Sequence, residues 1–187
     1  IYSKVFKDND LLIKFLSNTD EIFSGIVYGG LSKNKKNIMQ LGFFLNLDVT
    51  YIGSRPPSIK AELSKPYLSS VINYKYKLSF LLSVVSLINA SVIEGQKINQ
   101  IYKISKEFLE IMINKKKWLN FFCIYLFDLL KYIGYELDYV NNNRLKYFDT
   151  DTLEFKENYS NYTIDFPHHL FVNNSKVAFD YSSLNNF

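Results

Sequence analysis

Apolar and polar positions follow two different rhythms along this chain, and the change falls near Pro66. Before it, short alternating stretches are separated by turn residues. Residues 1–6 read as a strand and Lys7-Asp8-Asn9-Asp10 as a turn whose side chains bond their own backbone. Residues 11–16 read as a second strand, Ser17-Asn18-Thr19-Asp20 as a turn, and 21–28 as a third strand ending at Gly29-Gly30. A polar, basic loop is expected over 32–37. The clearest alternation spans 41–52. Leu41, Phe43, Leu45, Leu47, Val49 and Tyr51 fall on one face, and Gly42, Phe44, Asn46, Asp48 and Thr50 on the other. Gly53-Ser54-Arg55-Pro56-Pro57 breaks it, and 58–63 reads as a fifth strand.

After Pro66 the period becomes helical. Leu78, Leu81, Leu82, Val85, Ile88 and Val92 form one stripe, with serines opposite, and Gly95 closes it. Ile98, Ile101, Tyr102, Phe108, Leu109 and Met112 form a second stripe, backed by Lys103, Lys106, Glu107 and Glu110. Residues 118–133 are apolar almost all round, which predicts a central, buried helix. Gly134 is placed to stop it, with Lys131 in the last turn. From Tyr139 the chain turns polar and irregular. Residues 145–148 and 152–155 are spaced for a small hairpin around Asp149-Thr150-Asp151, and no element is assigned beyond it.

Five short strands followed by helices predict an α+β fold. The expectation is a five-stranded, partly open OB-type barrel over 1–66 and a helical domain over 67–187, with a small irregular or hairpin segment after about 139. Ile1 already falls inside a strand-like stretch, which predicts that a few residues precede it.

Composition narrows the function classes. Apolar residues make up 48% of the 187 positions, enough for a real core. The net charge of +4 is too mild to prove a nucleic-acid partner alone. Its distribution is uneven: nine basic and six acidic residues over 1–66, the same over 67–140, and four against six over 141–187. Arg55 and Arg144 are the two arginines; the other basic residues are lysines. The single cysteine, Cys123, excludes an internal disulfide and a multi-cysteine zinc site, and its apolar helical setting predicts a buried, inert thiol. The longest apolar stretch, 78–93, is interrupted by serines and too short for a membrane span. With no signal peptide at its start, the chain is expected in the cytoplasm.

Catalytic patterns are missing from the sequence. There is no phosphate-cradling loop, dinucleotide fingerprint or nucleophile elbow. The adjacent His168 and His169 point apart on any regular element and do not easily share a metal. The chain reads as a binding protein without metal or cofactor, not as an enzyme. Three constellations offer binding chemistry. Lys33, Lys35 and Lys36 are a set of cations able to neutralise phosphates, or an ordinary solvated loop. Phe44, with Lys14 on a neighbouring strand, is an outward stacking platform for an unpaired base, or a residue packed under the helical body. Arg55 adds a phosphate contact, or sits in a rigid turn before two prolines. Lys115, Lys116 and Lys117 follow a helix C-terminus, where the dipole favours cations. With Lys103 and Lys106 they edge a possible groove for an acidic peptide with an apolar end.

Several segments together resemble the bacterial recombination mediator RecO family. They are Asp10-Leu11-Leu12-Ile13-Lys14-Phe15-Leu16, Ser24-Gly25-Ile26-Val27-Tyr28-Gly29-Gly30-Leu31-Ser32-Lys33, the strands over 41–51 and 59–63, and above all 128–138 with Leu129, Leu130, Gly134 and Tyr135 in place. The resemblance spans roughly 1–150. It implies an OB domain that binds DNA, ATP-independent annealing of complementary strands, and a complex with RecR. It also implies contact with the acidic C-terminal tail of single-stranded-DNA-binding protein, so that RecA loads onto covered strands. Residues 139–187 contain no cysteine, where many relatives hold zinc through four, which implies a zinc-free branch. Leu31 stands where the family often has a basic residue. Ile124, Tyr125 and Leu126 stand where relatives tend to have Arg, an aromatic and Glu. Two rival readings remain: a protein-interaction module built on the same barrel and helical body, and an enzyme of unrecognised type whose pocket would gather Asp, Glu or His.

Overall fold

The computed structural model describes residues 2–135 and 144–168. The remainder of the 128–138 segment, the texture change at 139 and His169 lie outside the described residues. The fold is α+β. Two compact units divide the chain, Ile1–Asn114 and Lys115–Phe187. The expected boundary near 66 instead falls inside the first unit, which holds the sheet together with the helices that follow it.

The first unit opens with strands β1 (Tyr2–Lys7), β2 (Asp10–Leu16) and β3 (Ile22–Val27), an antiparallel meander. Helix α1 (Lys33–Ile38) then leads to β4 (Phe44–Thr50) and β5 (Ser58–Lys65). The sheet is mixed, with strand order β1-β2-β3-β5-β4. β3 and β5 meet in parallel at Ile26 and Ser58, where the Ile26 N–H donates to the Pro57 carbonyl at 2.8 Å. Gly25 makes this approach possible, because a Cβ there would lie 2.5 Å from Ile59 Cδ1 and 2.8 Å from the Pro57 oxygen. The edge strands are β1 and β4. Among the described residues no ladder joins them, so the sheet stays open. Leu11, Ile13, Val27, Met39 and Ile59 form its core, with Leu45 and Leu47 against them.

One loop and one strand differ from expectation. Residues 32–37 are not a plain loop: α1 occupies most of that span, and Ile38 and Met39 at its end pack into the sheet core. A helix with no buried residue within its own bounds leaves no apolar stripe to read. The alternation over 41–52 shrinks to β4. Gly42 adopts φ +77° and the Phe43 N–H donates to the Gln40 carbonyl at 3.2 Å, so 40–43 form a turn. Tyr51, expected to face inward, is past the strand and 65% exposed.

Helices α2 (Tyr67–Val71), α3 (Lys75–Ser91) and α4 (Ile101–Asn114) complete the first unit. The short α2 lies below what periodicity resolves. α3 buries Leu81, Val84, Val85 and Ile88, whereas the expected stripe member Leu82 is 42% exposed. α4 buries Ile101, Ser105, Phe108, Leu109 and Met112. Its start is tied to the β2–β3 turn, since Asp20 accepts hydrogen bonds from the Gln100 and Tyr102 N–H groups at 3.0 and 2.9 Å.

The second unit contains α5 (Leu119–Tyr132) and a three-stranded antiparallel sheet of β6 (Tyr147–Asp149), β7 (Glu154–Lys156) and β8 (Thr163–Asp165), in order β7-β6-β8. α5 buries Leu119, Cys123, Tyr125 and Leu129 and is half-exposed along much of its remaining length, less enclosed than its composition predicts. Gly134 ends it at φ +104°. Its N–H bonds Lys131 O and the Tyr135 N–H bonds Leu130 O, the paired closure that glycine favours. A hairpin forms where expected, but both strands begin two residues later than 145 and 152, and Asp149, expected in the turn, ends β6 with its Oδ1 accepting from the Asp151 and Thr152 N–H groups at 3.0 Å each. β8 was not legible. It is three residues long, and Phe166 just beyond it packs edge-on to Phe155 at 4.8 Å. Among the described residues, no helix is long and apolar enough to cross a membrane.

Candidate nucleic-acid interface

α1 presents its three lysines to solvent, because Ile38 and Met39 pin its C-terminal end to the core. Gly29, at φ +61°, turns the chain into the helix. Asp10 Oδ1 accepts the Gly29 N–H at 2.8 Å, and the Leu31 N–H donates to Asn9 O at 3.0 Å, so the β1–β2 turn braces this segment. Lys35 Nζ donates to the Tyr28 carbonyl at 2.7 Å and closes the same turn. Lys33 and Lys36 are exposed on the helix.

Arg55 is exposed in the β4–β5 loop. Its N–H donates to Ile52 O at 3.3 Å, and Pro57 O is taken by β3. The turn is thus hydrogen-bonded on both sides of the two prolines, and the Arg55 side chain faces solvent. Lys14 is half-buried in β2, opposite Tyr2 on β1 and Ser24 on β3.

Phe44 is not an outward stacking platform. The β4–β5 ladder shifts register between Phe44 and Leu45, whose partners are Lys65 and Leu63, so the extra residue, Ser64, lies on β5. The ring instead packs edge-on against Tyr67 at 4.8 Å and lies 5.9 Å from Tyr102. The alternative of packing under helices holds.

Around Phe44 lies a polar cluster that sequence reasoning missed. Glu110 Oε1 accepts from Tyr67 OH at 2.6 Å and from Lys65 Nζ at 2.9 Å, and the Lys65 ammonium sits 5.6 Å from the Tyr67 ring centroid. The hydrogen bond from Tyr67, then that from Lys65, holds the Glu110 carboxyl below its usual range. The bond to Glu110 raises Lys65. Burial pushes the Tyr67 and Tyr102 phenols up. These residues are 43 and 45 apart in sequence, so no local pattern marks them.

Also unseen in the sequence is a cleft of about 590 Å³ inside the first unit. Tyr2 and Ser3 of β1, Leu45 and Leu47 of β4, and Val85 of α3 are among its walls. Phe15 and Phe23, stacked across β2 and β3 with centroids 5.8 Å apart, also line it.

The residues expected to edge a peptide groove fall in different units. Lys103 and Lys106 belong to α4, in the first unit; Lys103 is exposed and Lys106 half-buried. Lys115, Lys116 and Lys117 belong to the second and are exposed, with Lys115 Nζ 4.6 Å from the Phe121 ring centroid. The Cys123 thiol is buried and pushed up to about 11 by that burial, as an inert core thiol would be. His168 Nε2 lies 2.7 Å from the Leu145 carbonyl, a structural contact. Among the described residues, no three His, Cys, Asp or Glu side chains are grouped to hold a metal.

The chain matches no protein-family model. No curated protein matches it.

Proposed function

We propose that this chain is a RecO-like DNA repair and recombination mediator: a binding protein of the cytoplasm that holds single- and double-stranded DNA and anneals complementary strands without ATP. The observation that carries the reading is the strand order β1-β2-β3-β5-β4, with a parallel β3–β5 contact and a helix between β3 and β4. That is how an OB-type barrel is strung, and such barrels bind oligonucleotides on the strand 2–3 face and neighbouring loops. Lys33 and Lys36 on α1, Arg55 in the β4–β5 loop and Lys14 on β2 provide the cations. Lys35 contributes charge while also bracing the turn at Tyr28. Phe44 is half-buried, packed edge-on against Tyr67, and lines the cleft inside the first unit, so any contact it makes is from within that cleft and not from an outward face.

The partners in this reading are RecR and the acidic tail of single-stranded-DNA-binding protein, with α4 Lys103 and Lys106, or Lys115, Lys116 and Lys117, as candidate contacts for the tail. The direct test is annealing of two complementary labelled strands by the purified chain without nucleotide. Acceleration over the spontaneous rate supports the reading, and an unchanged rate removes the annealing role.

One observation favours a second reading, a protein-docking module. Edge strand β1 exposes Tyr2, Val5 and Phe6. A partner strand added there would bind with little dependence on salt, unlike a polyanion.

A further inference from the structure

We propose that the cleft between the sheet and α3/α4 is the single-strand site, seating an unpaired base among its aromatic side chains with Lys14 beside the phosphate. This deepens the DNA-binding reading above and rests on it. The sequence offers Phe44 with Lys14 for base stacking and Lys33, Lys35 and Lys36 for phosphate contact; Phe44 and Lys14 both line this cleft.

Three properties of the cleft point to a nucleobase. Its walls are rich in aromatic faces, among them Tyr2, Phe15, Phe23, Phe43 and Tyr51. Base–aromatic stacking tolerates any sequence because every base has a π-face. Amide side chains line it as well, Asn18, Gln40 and Asn46, all exposed and able to donate to and accept from base edges. The charge balance is one-sided: among the described residues lining the cleft there is one lysine, Lys14, and no carboxylate. A polyanion meets no carboxylate on the lining itself, and an acidic group placed near it is Glu94, which accepts a hydrogen bond from Ser24, across the ladder from Lys14, at 2.9 Å.

The topology explains why the cleft is accessible. β1 and β4 are both edges of the sheet, and residues of each line the cleft, Tyr2 and Ser3 on one side and Leu45 to Leu47 on the other. Tyr2 stands directly opposite Lys14 in the β1–β2 ladder, so an aromatic face and an ammonium are neighbours on one side of the sheet. Tyr51 projects from the end of β4 and is mostly exposed. A duplex keeps its bases stacked inside and has no use for such a cleft; a single strand does.

The test uses the whole chain and a mixed-sequence strand carrying 5-iodouracil. Irradiation of the complex is expected to cross-link the strand to Tyr2, Phe43 or Tyr51. Because Tyr2 and Tyr51 are exposed, Tyr2→Ala and Tyr51→Ala are expected to fold, which circular dichroism checks. Each is expected to weaken single-strand binding by about tenfold, with a smaller loss on duplex. No cross-link to any aromatic residue of the cleft, together with wild-type affinity in both variants, would overturn the cleft site while leaving DNA binding intact. A wild-type chain that binds no single strand at low salt would overturn both this inference and the reading beneath it.

Discussion

Asp20, in the turn between β2 and β3, accepts the backbone N–H of Tyr102, 82 residues later in the chain, at 2.9 Å. Its second carboxylate oxygen takes the Gln100 N–H at 3.0 Å, and its own carbonyl takes the Ile98 N–H at 3.0 Å. One acidic turn residue thus serves the open N–H groups at the start of α4, where a negative charge is also favoured by the helix dipole. The sheet and α4 are fastened at this point, and the cleft walls they share are held in register.

Asp20→Ala is therefore expected to destabilise the protein by about 1–2 kcal/mol, the usual cost of losing a capping side chain. The φ of +67° at this position adds strain for alanine. Asp20→Asn keeps a bonding oxygen and tolerates that backbone, so it is expected to cost less. Urea unfolding midpoints of the three proteins check the order; equal midpoints would show that the bonds contribute nothing.

Gly25→Ala tests the parallel β3–β5 crossing. The added methyl meets Ile59 and the Pro57 carbonyl at distances no Cβ tolerates. A loss of about 1–3 kcal/mol is expected, in the range of overpacked cores. Adding Ile59→Ala removes the side-chain clash and leaves the backbone one, so recovery is expected to be absent or partial. Full recovery would mean that β5 does not cross here as described.

Glu110 gives a pH dependence with a defined sign. Its carboxyl is held below the ordinary range by Tyr67 and Lys65. A depressed carboxylate contributes stability that is present above its unfolded value, about 4.3, and is lost as pH falls through the folded value. The melting temperature is thus expected to fall on acidification through that window more steeply in the wild type than in Glu110→Gln. The pair is well exposed, so the difference is expected to be small. Parallel melting curves across the window would rule out the coupling.

β2, β3 and β5 were readable in the sequence because each carries local alternation or bounding turn residues. α4 was readable because its stripe recurs over the whole helix. The Gly134 stop was readable because a backbone at φ +104° selects glycine locally. What failed was non-local. Phe44 reads as outward by parity, and only the rings of Tyr67 and Tyr102, distant in sequence and packed against it, overturn this. The Glu110–Tyr67–Lys65 cluster and the cleft are assembled from distant segments and leave no spacing to detect. α1 looked like a loop because the residues that anchor it stand at its end and just past it.

Lys33 and Lys36 are expected to act as phosphate contacts. Replacing both with alanine should lower affinity for all sequences alike and reduce the salt slope by about one unit per lysine lost. Binding isotherms at several salt concentrations measure it, and an unchanged slope removes α1 from the interface.

The central claim, that this fold binds DNA, is tested most directly by fluorescence anisotropy of a labelled mixed-sequence single strand titrated with the intact chain across salt. The account predicts sequence-independent binding that weakens steeply as salt rises. No binding even at low salt would contradict it and leave the exposed edge of β1 as the surface to pursue.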